Sequence, residues 1–350
     1  MKLIDQLFDG PLDVIGDIHG EIEALERLLG HLGYHEDGSH PEERRMVFVG
    51  DLTDRGPDSP EVLRKVMSFC NEGRAQCVIG NHELALLGDD EKHANTWWTN
   101  PEKPNNYPQV PVNAEEKMEF RDFLASLPLV LERDDLRVVH ACWNNAAIEA
   151  LRLLDDEATT VVDLDRRMKR EFEKRWTSGS LKDSLEVEQK LLDKNVSNKH
   201  WIPHYFGTKA RYEREKQMSN PVAIITSGEE TETNEPFFAG GKWRMVERVS
   251  WWNNYHDNVR VIVGHYWRNV SEVRPEVHSK HELDIFDGAL PHQWLGARQN
   301  VYCVDFSIGG LAEQREAGKP LEHCSLAAVR VPEWEVMHDD EPESKTMNCT

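Results

Sequence analysis

The sequence predicts an α/β (α+β) fold in which a β-sheet is covered by helices and interrupted by a largely helical insertion. Three observations support this prediction. Strand and helix patterns alternate through the first third of the chain, apolar runs end repeatedly in Gly and a polar residue, and a charged helical stretch separates early strands from late ones. Strands that alternate with helices are typical of a sheet with helices on its faces.

The first third of the chain shows a βαβαβ pattern. Strands are predicted at Leu12–Ile15, Met46–Val49 and Gln76–Ile79, because each is a short, mostly apolar run closed by Gly and a polar residue. Helices are predicted between them at Glu21–Leu32 and Pro60–Cys70, where apolar residues recur every three or four positions.

Further elements follow the same logic later in the chain. A helix is predicted at Ala114–Ser126, and strands are predicted at Arg137–Val139, Val259–Val263, Val301–Val304 and Ala327–Val331. The late strands show that the sheet continues after the charged middle of the chain.

Residues 1–338 are predicted to form one domain, within which residues 146–255 are an insertion or cap. Residues 146–192 have a helical and heavily charged pattern, whereas Ser227–Glu235 has the composition of a solvated acidic loop. Residues 339–350 are polar and are predicted to be a disordered tail.

Composition narrows the class of protein. The 350 residues carry a net charge of −22, which disfavours broad binding to long nucleic acid, because such binding needs a basic face. No stretch approaches the ~20 apolar residues of a membrane span, and no signal-peptide pattern is present. The six cysteines are scattered without a CxxC pair. We expect a cytoplasmic protein with reduced thiols and no membrane partner; the sequence leaves its oligomeric state undetermined.

Five predicted strands end in polar signatures. In chain order these are GDIHG at 16–20, GDLTDRG at 50–56, GNHE at 80–83, His140 after its strand, and GH at 264–265. The carboxyl ends of strands converge on one crevice of an open sheet, so distant segments can bring these side chains together.

The residue types in these signatures suit a pair of divalent cations. Carboxylate, amide oxygen and imidazole fit manganese, and also iron, zinc or nickel. No Cys takes part, which argues against a structural zinc site. Two metal ions can activate water and stabilise both the attacking and the leaving oxygen. The sequence therefore predicts a metal-dependent phosphoesterase.

These motifs, in this order, resemble the calcineurin-like metallophosphoesterases. The run Asp54-Arg55-Gly56 after the second motif makes the chain most similar to the PPP phosphatase branch of that family. The resemblance runs from Asp13 to about His265 and leaves the middle third unmatched. The run Gly50–Pro60 is also similar to bacterial diadenosine tetraphosphatases, PrpE-type phosphatases and the phosphatase module of polynucleotide kinase-phosphatases. The resemblance implies a β-sandwich flanked by helices.

The resemblance also implies a role for each matching residue. Asp17 and His19 would bind one metal ion, and Asp51 would bridge both ions. The residues that would complete the second metal site are Asn81, His140 and His265.

Three further residues would carry the chemistry by the same resemblance. His82 would protonate the leaving oxygen, Asp54 would orient His82, and Arg55 would hold the phosphate. A guanidinium fork matches phosphate oxygens. Many relatives have a second phosphate-binding arginine, and the sequence does not choose among the candidates Arg244, Arg248 and Arg268.

Some residues near the motifs have two interpretations. Glu83 is either a partner that orients a metal ligand or a favourable charge at a helix start, and we favour the helix role slightly. Trp143 and Trp267 follow His140 and His265, so they either line the pocket or pack its walls. The pairs Trp97-Trp98 and Trp251-Trp252 are expected to cover the core or to hold the insertion down.

The expected reaction is hydrolysis of phosphate monoesters, in phosphoproteins or small molecules, by a hydroxide that bridges two metal ions. One alternative is phosphoanhydride cleavage in a bis(5'-nucleosyl) tetraphosphate at the same metals. Another alternative is a catalytically inactive binding module, but His82 and every metal ligand are retained. The expected partner is a phosphopeptide or a nucleotide.

Overall fold

A computed structural model describes residues 2–91, 93–101, 109–154, 160–239, 241–270, 284–341 and 343–348. The strands in these ranges are β1 (Ile4–Gln6), β2 (Leu12–Ile15), β3 (Arg45–Phe48), β4 (Ala75–Cys77), β5 (Val130–Glu132), β6 (Leu136–Val139), β7 (Glu230–Ala239), β8 (Lys242–Arg248), β9 (Arg260–Val263), β10 (Val301–Cys303), β11 (Asp305–Phe306), β12 (Ser325–Val331), β13 (Glu335–His338) and β14 (Lys345–Thr346). The α-helices are α1 (Ile22–Leu32), α2 (Ser59–Asn71), α3 (Asn81–Gly88), α4 (Thr96–Thr99), α5 (Ala114–Ser126), α6 (Asn145–Leu154), α7 (Val161–Thr177), α8 (Lys182–Asp193), α9 (Gly207–Met218), α10 (Pro221–Ser227) and α11 (Leu311–Glu316).

The strands form two large sheets that pack face to face. One sheet has the order β1-β5-β6-β9-β10, and the other has the order β14-β13-β12-β2-β3-β4, with β11 paired to β12. One buried apolar cluster joins Val14 and Val47 of the second sheet to Val138 and Ile262 of the first. Ile15 belongs to another cluster, which includes the apolar face of α1, because alternate strand residues point to opposite faces. The expected β-sandwich flanked by helices is confirmed.

The predicted βαβαβ pattern is also confirmed. β2, β3 and β4 are parallel neighbours in one sheet, and α1 and α2 connect them. Parallel neighbours place their carboxyl ends at the same edge, which puts the three early motifs side by side. β1 and β5 were not predicted, because strands of three residues are too short to show a clear alternation.

The insertion lies between β6 and β9 and is largely helical, as expected, with α6 to α10 in its described part. The prediction of an acidic loop at Ser227–Glu235 is wrong, because β7 begins at Glu230 and pairs with β8. The hairpin is held by its own small core, in which Trp243 and Met245 pack with Ala210 of α9. The strand was missed because β7 is rich in Glu and, of its ten residues, only Thr233 is buried. None of the described helices is both long and apolar enough to cross a bilayer.

The described part of residues 339–350 is attached to the sandwich, although the sequence predicted a disordered tail. Asp339 is buried, accepts a hydrogen bond from the Leu326 backbone and pairs with Arg27. β14 pairs with β13, and Met347 is buried beside it. The buried side chains of Asp339 and Met347 and the pairing of β14 attach this short polar segment to the sandwich. Composition alone does not reveal these contacts. Residues 349–350 lie outside the described ranges.

Candidate active site

The strand-end residues converge at one end of the sandwich. Asp17, His19 and Asp51 follow β2 and β3, and Asn81 opens α3 after β4. The remaining two residues follow strands of the other sheet, His140 after β6 and His265 after β9. The site therefore lies where the carboxyl ends of strands from both sheets meet. Its members are buried, apart from the half-buried Asn81.

The carboxylate of Asp51 lies between two groups of possible metal ligands. Its Oδ1 is 3.4 Å from Nε2 of His140, and that nitrogen is 3.2 Å from Oδ1 of Asn81. Nδ1 of His265 is 2.9 Å from the same Asn81 oxygen. On the other side, Oδ2 of Asp51 is 3.8 Å from Nε2 of His19. One carboxylate therefore offers one oxygen to each group, which is the arrangement that a bridging ligand needs.

Backbone carbonyls orient two of the imidazoles. Nδ1 of His19 is 3.1 Å from the carbonyl oxygen of Thr53, and Nδ1 of His140 is 2.8 Å from that of Val49. A proton on each Nδ1 leaves the lone pair of Nε2 directed at the Asp51 carboxylate, and a carbonyl partner of this kind typically fixes a metal-binding histidine.

Asp17 lies against the backbone of His265. Both of its carboxylate oxygens accept from the His265 backbone N–H, at 3.3 and 3.1 Å. A Cβ at Gly264 would overlap Oδ1 of Asp17, so only glycine allows this approach. His19, Asp51 and His265 all have positive φ, of 50°, 49° and 70°. Strained backbone of this kind in non-glycine residues is typical of functional sites.

The electrostatics favour a bound cation. Burial raises the pKa of Asp17 well above its usual range, and the neighbouring Asp305 raises it further. Burial also raises the pKa of Asp51, but His140 and His82 outweigh burial and hold that pKa well below its usual range. Several carboxylates in a dry site repel one another unless protons or metal ions compensate them. The donor set therefore fits a pair of divalent metal ions.

Asp305 is a site residue that the sequence analysis missed. It is buried, and its Oδ2 has no hydrogen-bond partner, while its Oδ1 accepts from the Ser307 backbone at 2.8 Å. Burial raises its pKa to about 6. A buried carboxylate oxygen without a partner is costly and is best compensated by a nearby cation. The available signal was that Asp305 follows β10, as Asp17 follows β2.

His82 and Asp54 form a hydrogen-bonded pair beside the possible ligands. Nδ1 of His82 is 2.6 Å from Oδ2 of Asp54, which leaves Nε2 free to face the cluster, 3.9 Å from Asp51. The other oxygen of Asp54 accepts from Nε1 of Trp97 at 2.7 Å. Trp97 is buried as expected, but it also fixes Asp54, a role that no local pattern indicated.

Glu83 supports the loop that carries Asp51. Its Oε2 accepts from the backbone N–H of Asp51 at 2.8 Å and of Gly80 at 3.1 Å. Its Oε1 accepts from the Leu52 backbone at 2.8 Å and from the Thr53 hydroxyl at 3.1 Å. Both interpretations of Glu83 are therefore confirmed: it lies in the first turn of α3 and accepts from the N-cap residue Gly80, and its other three donors belong to the loop after β3.

Arg55 lies at the rim of the cluster with a φ of 69°. A Cβ at Gly309 would lie 2.8 Å from Cδ of Arg55 and 2.5 Å from Cδ2 of His19, so glycine at this position makes room for both side chains. The guanidinium carbon is 4.9 Å from the ring centroid of Trp267. Trp143, in contrast, is buried and bonds to Asn145. Of the two tryptophans considered, only Trp267 reaches the site.

The three candidate arginines have different surroundings. The guanidinium of Arg268 is buried and donates to backbone carbonyls, so it serves the core. Arg244 Nε donates to a carbonyl within the hairpin. Arg248 lies over the ring of Tyr266, 5.6 Å from its centroid. Because Tyr266 follows His265 in the chain, this contact brings Arg248 near the cluster. Burial lowers the pKa of His265, and the charge of Arg248 lowers it further.

The calcineurin-like phosphoesterase family model matches residues 10–265, which is more than half of the chain. The chain belongs to this family. The family implies divalent metal ions, as the donor set does. The matched segment spans every motif from GDIHG to the final GH.

Short stretches of the phosphoesterase are similar to named bacterial relatives. It is 49% identical over 74 residues to a bis(5'-nucleosyl)-tetraphosphatase PrpE [asymmetrical] from Oceanobacillus iheyensis, which is 20% of this chain and 30% of the relative. It is 43% identical over 77 residues to a symmetrical bis(5'-nucleosyl)-tetraphosphatase from Ralstonia nicotianae, which is 22% of this chain and 24% of that protein. The phosphoesterase therefore matches less than a third of the length of these relatives.

A solved structure described as a putative diadenosine tetraphosphatase is similar over the whole phosphoesterase. The alignment covers 97% of both chains, with 14% identity and a TM-score of 0.43. A cold-active protein-tyrosine phosphatase from a Shewanella species aligns over 99% of the chain and 83% of its own length, with 16% identity and a TM-score of 0.46.

We expect Glu83→Gln to weaken metal binding about 10- to 100-fold and to lower the free energy of unfolding by about 2 to 3 kcal/mol. The amide would turn a donor toward backbone N–H groups that now meet a carboxylate, so the loop holding Asp51 would lose its support. Metal titration by calorimetry and chemical denaturation would measure the two effects. Glu23→Gln, at an exposed position in the first turn of α1, is the matched control. Unchanged metal affinity in Glu83→Gln would contradict this role.

Proposed function

We propose that this phosphoesterase hydrolyses phosphate monoesters with two divalent metal ions, of which manganese is the proposed identity. The observation that carries the proposal is the position of Asp51, with one oxygen facing each of two groups of buried ligands. When bound, the metal ions would lower the pKa of water and neutralise charge on the phosphate. Iron, zinc and nickel suit the same donors.

The residues that would hold the metal ions divide around Asp51. Asp17 and His19 would serve the first ion, and the unpartnered oxygen of Asp305 makes it a further candidate there. Asn81, His140 and His265 would serve the second ion.

The chemical roles follow from contacts beside the ligands. Nε2 of His82 would donate a proton to the leaving oxygen, while Asp54 holds Nδ1 and so keeps the ring oriented. Arg55 would bind two phosphate oxygens with its guanidinium fork. Arg248 is the proposed second phosphate ligand, because it is the candidate whose guanidinium lies over Tyr266, the residue after His265.

A second candidate reaction is phosphoanhydride cleavage in a dinucleoside tetraphosphate. It is favoured by the names of the two bacterial relatives above, but their short matches leave most of each relative uncompared. The same ligands and the same proton donor would serve both reactions. The difference would lie in the contacts beyond the phosphate. A binding module without activity is disfavoured, because the proton donor and all proposed ligands are present together.

The proposal is tested by measuring phosphate release from p-nitrophenyl phosphate, a phosphopeptide, AMP and diadenosine tetraphosphate, with added manganese and with a chelator. We expect the rate to fall at least about tenfold with chelator and to return with manganese, because water activation needs the metal pair. We also expect kcat/KM to be higher for the monoesters than for the tetraphosphate.

The other outcomes of this assay distinguish between the two candidate reactions. Equal rates with and without chelator would contradict metal dependence, and a higher kcat/KM for diadenosine tetraphosphate would favour the second candidate. Hydrolysis of none of the four compounds would contradict both reactions. Arg248→Met in the same assay should raise KM without lowering the metal content.

A further inference from the structure

Trp267 is unusual among the tryptophans of this chain. All 11 tryptophans lie within the described residues. Trp267 is the most exposed of them, with 36% of its surface accessible to solvent. Its chain neighbours Tyr266 and Arg268 are almost fully buried, at 1% and 2%. A single exposed apolar side chain is common, so a functional role for Trp267 depends on what its ring contacts. Such a ring is a candidate contact for a ligand.

The ring is tied to the proposed phosphate ligand. The guanidinium carbon of Arg55 is 4.9 Å from the Trp267 ring centroid, a distance at which cation and ring attract. Nε of Arg55 is buried without a hydrogen-bond partner, so the contact with the ring is one of the interactions that orient this side chain. An arginine can stack on an aromatic ring and still present its donors to a phosphate.

Two consecutive glycines lie beside these groups, and at Gly309 the absence of a Cβ makes room for Arg55. A Cβ at Gly310 would lie 3.7 Å from Cζ3 of Trp267, and a Cβ at Gly309 would lie 2.8 Å from Cδ of Arg55. The backbone of two consecutive glycines thus lines the rim where the ring and the guanidinium meet. Because Arg55 contacts the Trp267 ring, the indole is a neighbour of any group attached to a phosphate that Arg55 holds.

We propose that Trp267 is a specificity-determining residue that stacks on a planar aromatic ring carried by the phosphorylated substrate. The inference rests on the proposed phosphoesterase function and adds a substrate class to it. The ring is either an aryl group directly on the phosphate oxygen or a nucleobase further away. Base or aryl stacking on an exposed indole favours binding without reading a particular hydrogen-bond pattern.

The test uses substrate pairs that differ in the ring. AMP is compared with ribose 5-phosphate, and phosphotyrosine with phosphoserine, for the manganese-loaded wild type and Trp267→Leu. Because Trp267 also contacts Arg55, KM for both members of a pair can rise, and we expect the increase to be about tenfold larger for the aromatic member than for its partner in at least one pair. The pair that responds identifies the ring as nucleobase or aryl. Trp267→Phe, which retains an aromatic face, should restore most of the loss.

Two results would overturn the inference. Equal changes in both members of each pair would show that Trp267 only positions Arg55, and no change in any member would show that the ring does not touch substrate. Tyr205→Leu, an exposed aromatic in the insertion, is the matched control and should leave all four KM values unchanged.

A binding measurement separates this inference from the proposed reaction. Phenylphosphonate and methylphosphonate cannot be hydrolysed, so calorimetry with the two compounds reports the ring contact without turnover. Tighter binding of phenylphosphonate that is lost in Trp267→Leu would support stacking even if no ester is hydrolysed. Equal affinities for both compounds, together with no preference for AMP over ribose 5-phosphate, would contradict stacking while leaving the hydrolysis proposal intact.

Discussion

Asp51→Asn is expected to lower the rate of phosphate release at least about a thousandfold and to reduce the metal content to about one ion per chain or less. The carboxylate now offers Oδ1 toward His140 at 3.4 Å and Oδ2 toward His19 at 3.8 Å. An asparagine would offer one neutral oxygen and turn two amide protons toward the other group. Initial rates on p-nitrophenyl phosphate and metal analysis by mass spectrometry would measure both effects.

The substitution is expected to leave the metal-free fold intact. An amide oxygen can still accept from the His82 backbone N–H, which now bonds to Oδ1 of Asp51 at 3.0 Å. Removing the charge of Asp51 also relieves its repulsion with Asp17. The pKa of Asp17 is raised by burial and by the neighbouring carboxylates. Asp37→Asn, at an exposed aspartate away from the cluster, is the control. Full activity with two ions bound to Asp51→Asn would refute the bridging role.

His82→Ala is expected to lower kcat about 100- to 10,000-fold on alkyl phosphates, whose leaving oxygen needs a proton. The loss should be much smaller on p-nitrophenyl phosphate, because p-nitrophenolate leaves without protonation. A series of aryl phosphates with leaving-group pKa values from low to high would show a steeper dependence in the variant. Equal losses across the series would argue against a role as proton donor.

Trp97→Phe gives a milder version of the same test. The phenyl ring fills most of the indole volume but cannot donate to Asp54, which would lose one of its two strong partners. We expect a smaller loss of kcat than in His82→Ala and a shifted acidic or basic limb in the pH–rate profile. Trp98→Phe is the matched control, because buried Trp98 donates its Nε1–H to the Leu86 carbonyl, away from the pair.

Much of the scaffold could be predicted from local pattern. The bounds of β2 and α5 agree with the predicted Leu12–Ile15 and Ala114–Ser126, and the other early elements agree within one or two residues. Apolar runs and helical stripes are properties of neighbouring residues, so a single sequence displays them. The β7–β8 hairpin was missed, because its stability comes from packing against α9 and not from its own alternation.

The sequence named the strand-end side chains that come together at the site, but it did not name the residues that support them. Six strand-end residues could be named because each follows a buried run and has a metal-binding side chain. Trp97 and Asp305 lie outside the recognised motifs, and their contacts with Asp54 and with the cluster join segments far apart in the chain. The sequence likewise offered Arg244, Arg248 and Arg268 without a means to choose among them.

The sequence by itself determined the family. It also determined the residue types that could bind two cations and the strand ends at which they lie. Only the tertiary structure decided which supports reach those residues, that Trp267 and not Trp143 contacts Arg55, and that Arg248 lies over the ring of Tyr266, the residue after His265. The physical reason is that the direction of a side chain across the sandwich depends on the pairing and packing of distant strands, whereas local pattern records only which residues want to be buried.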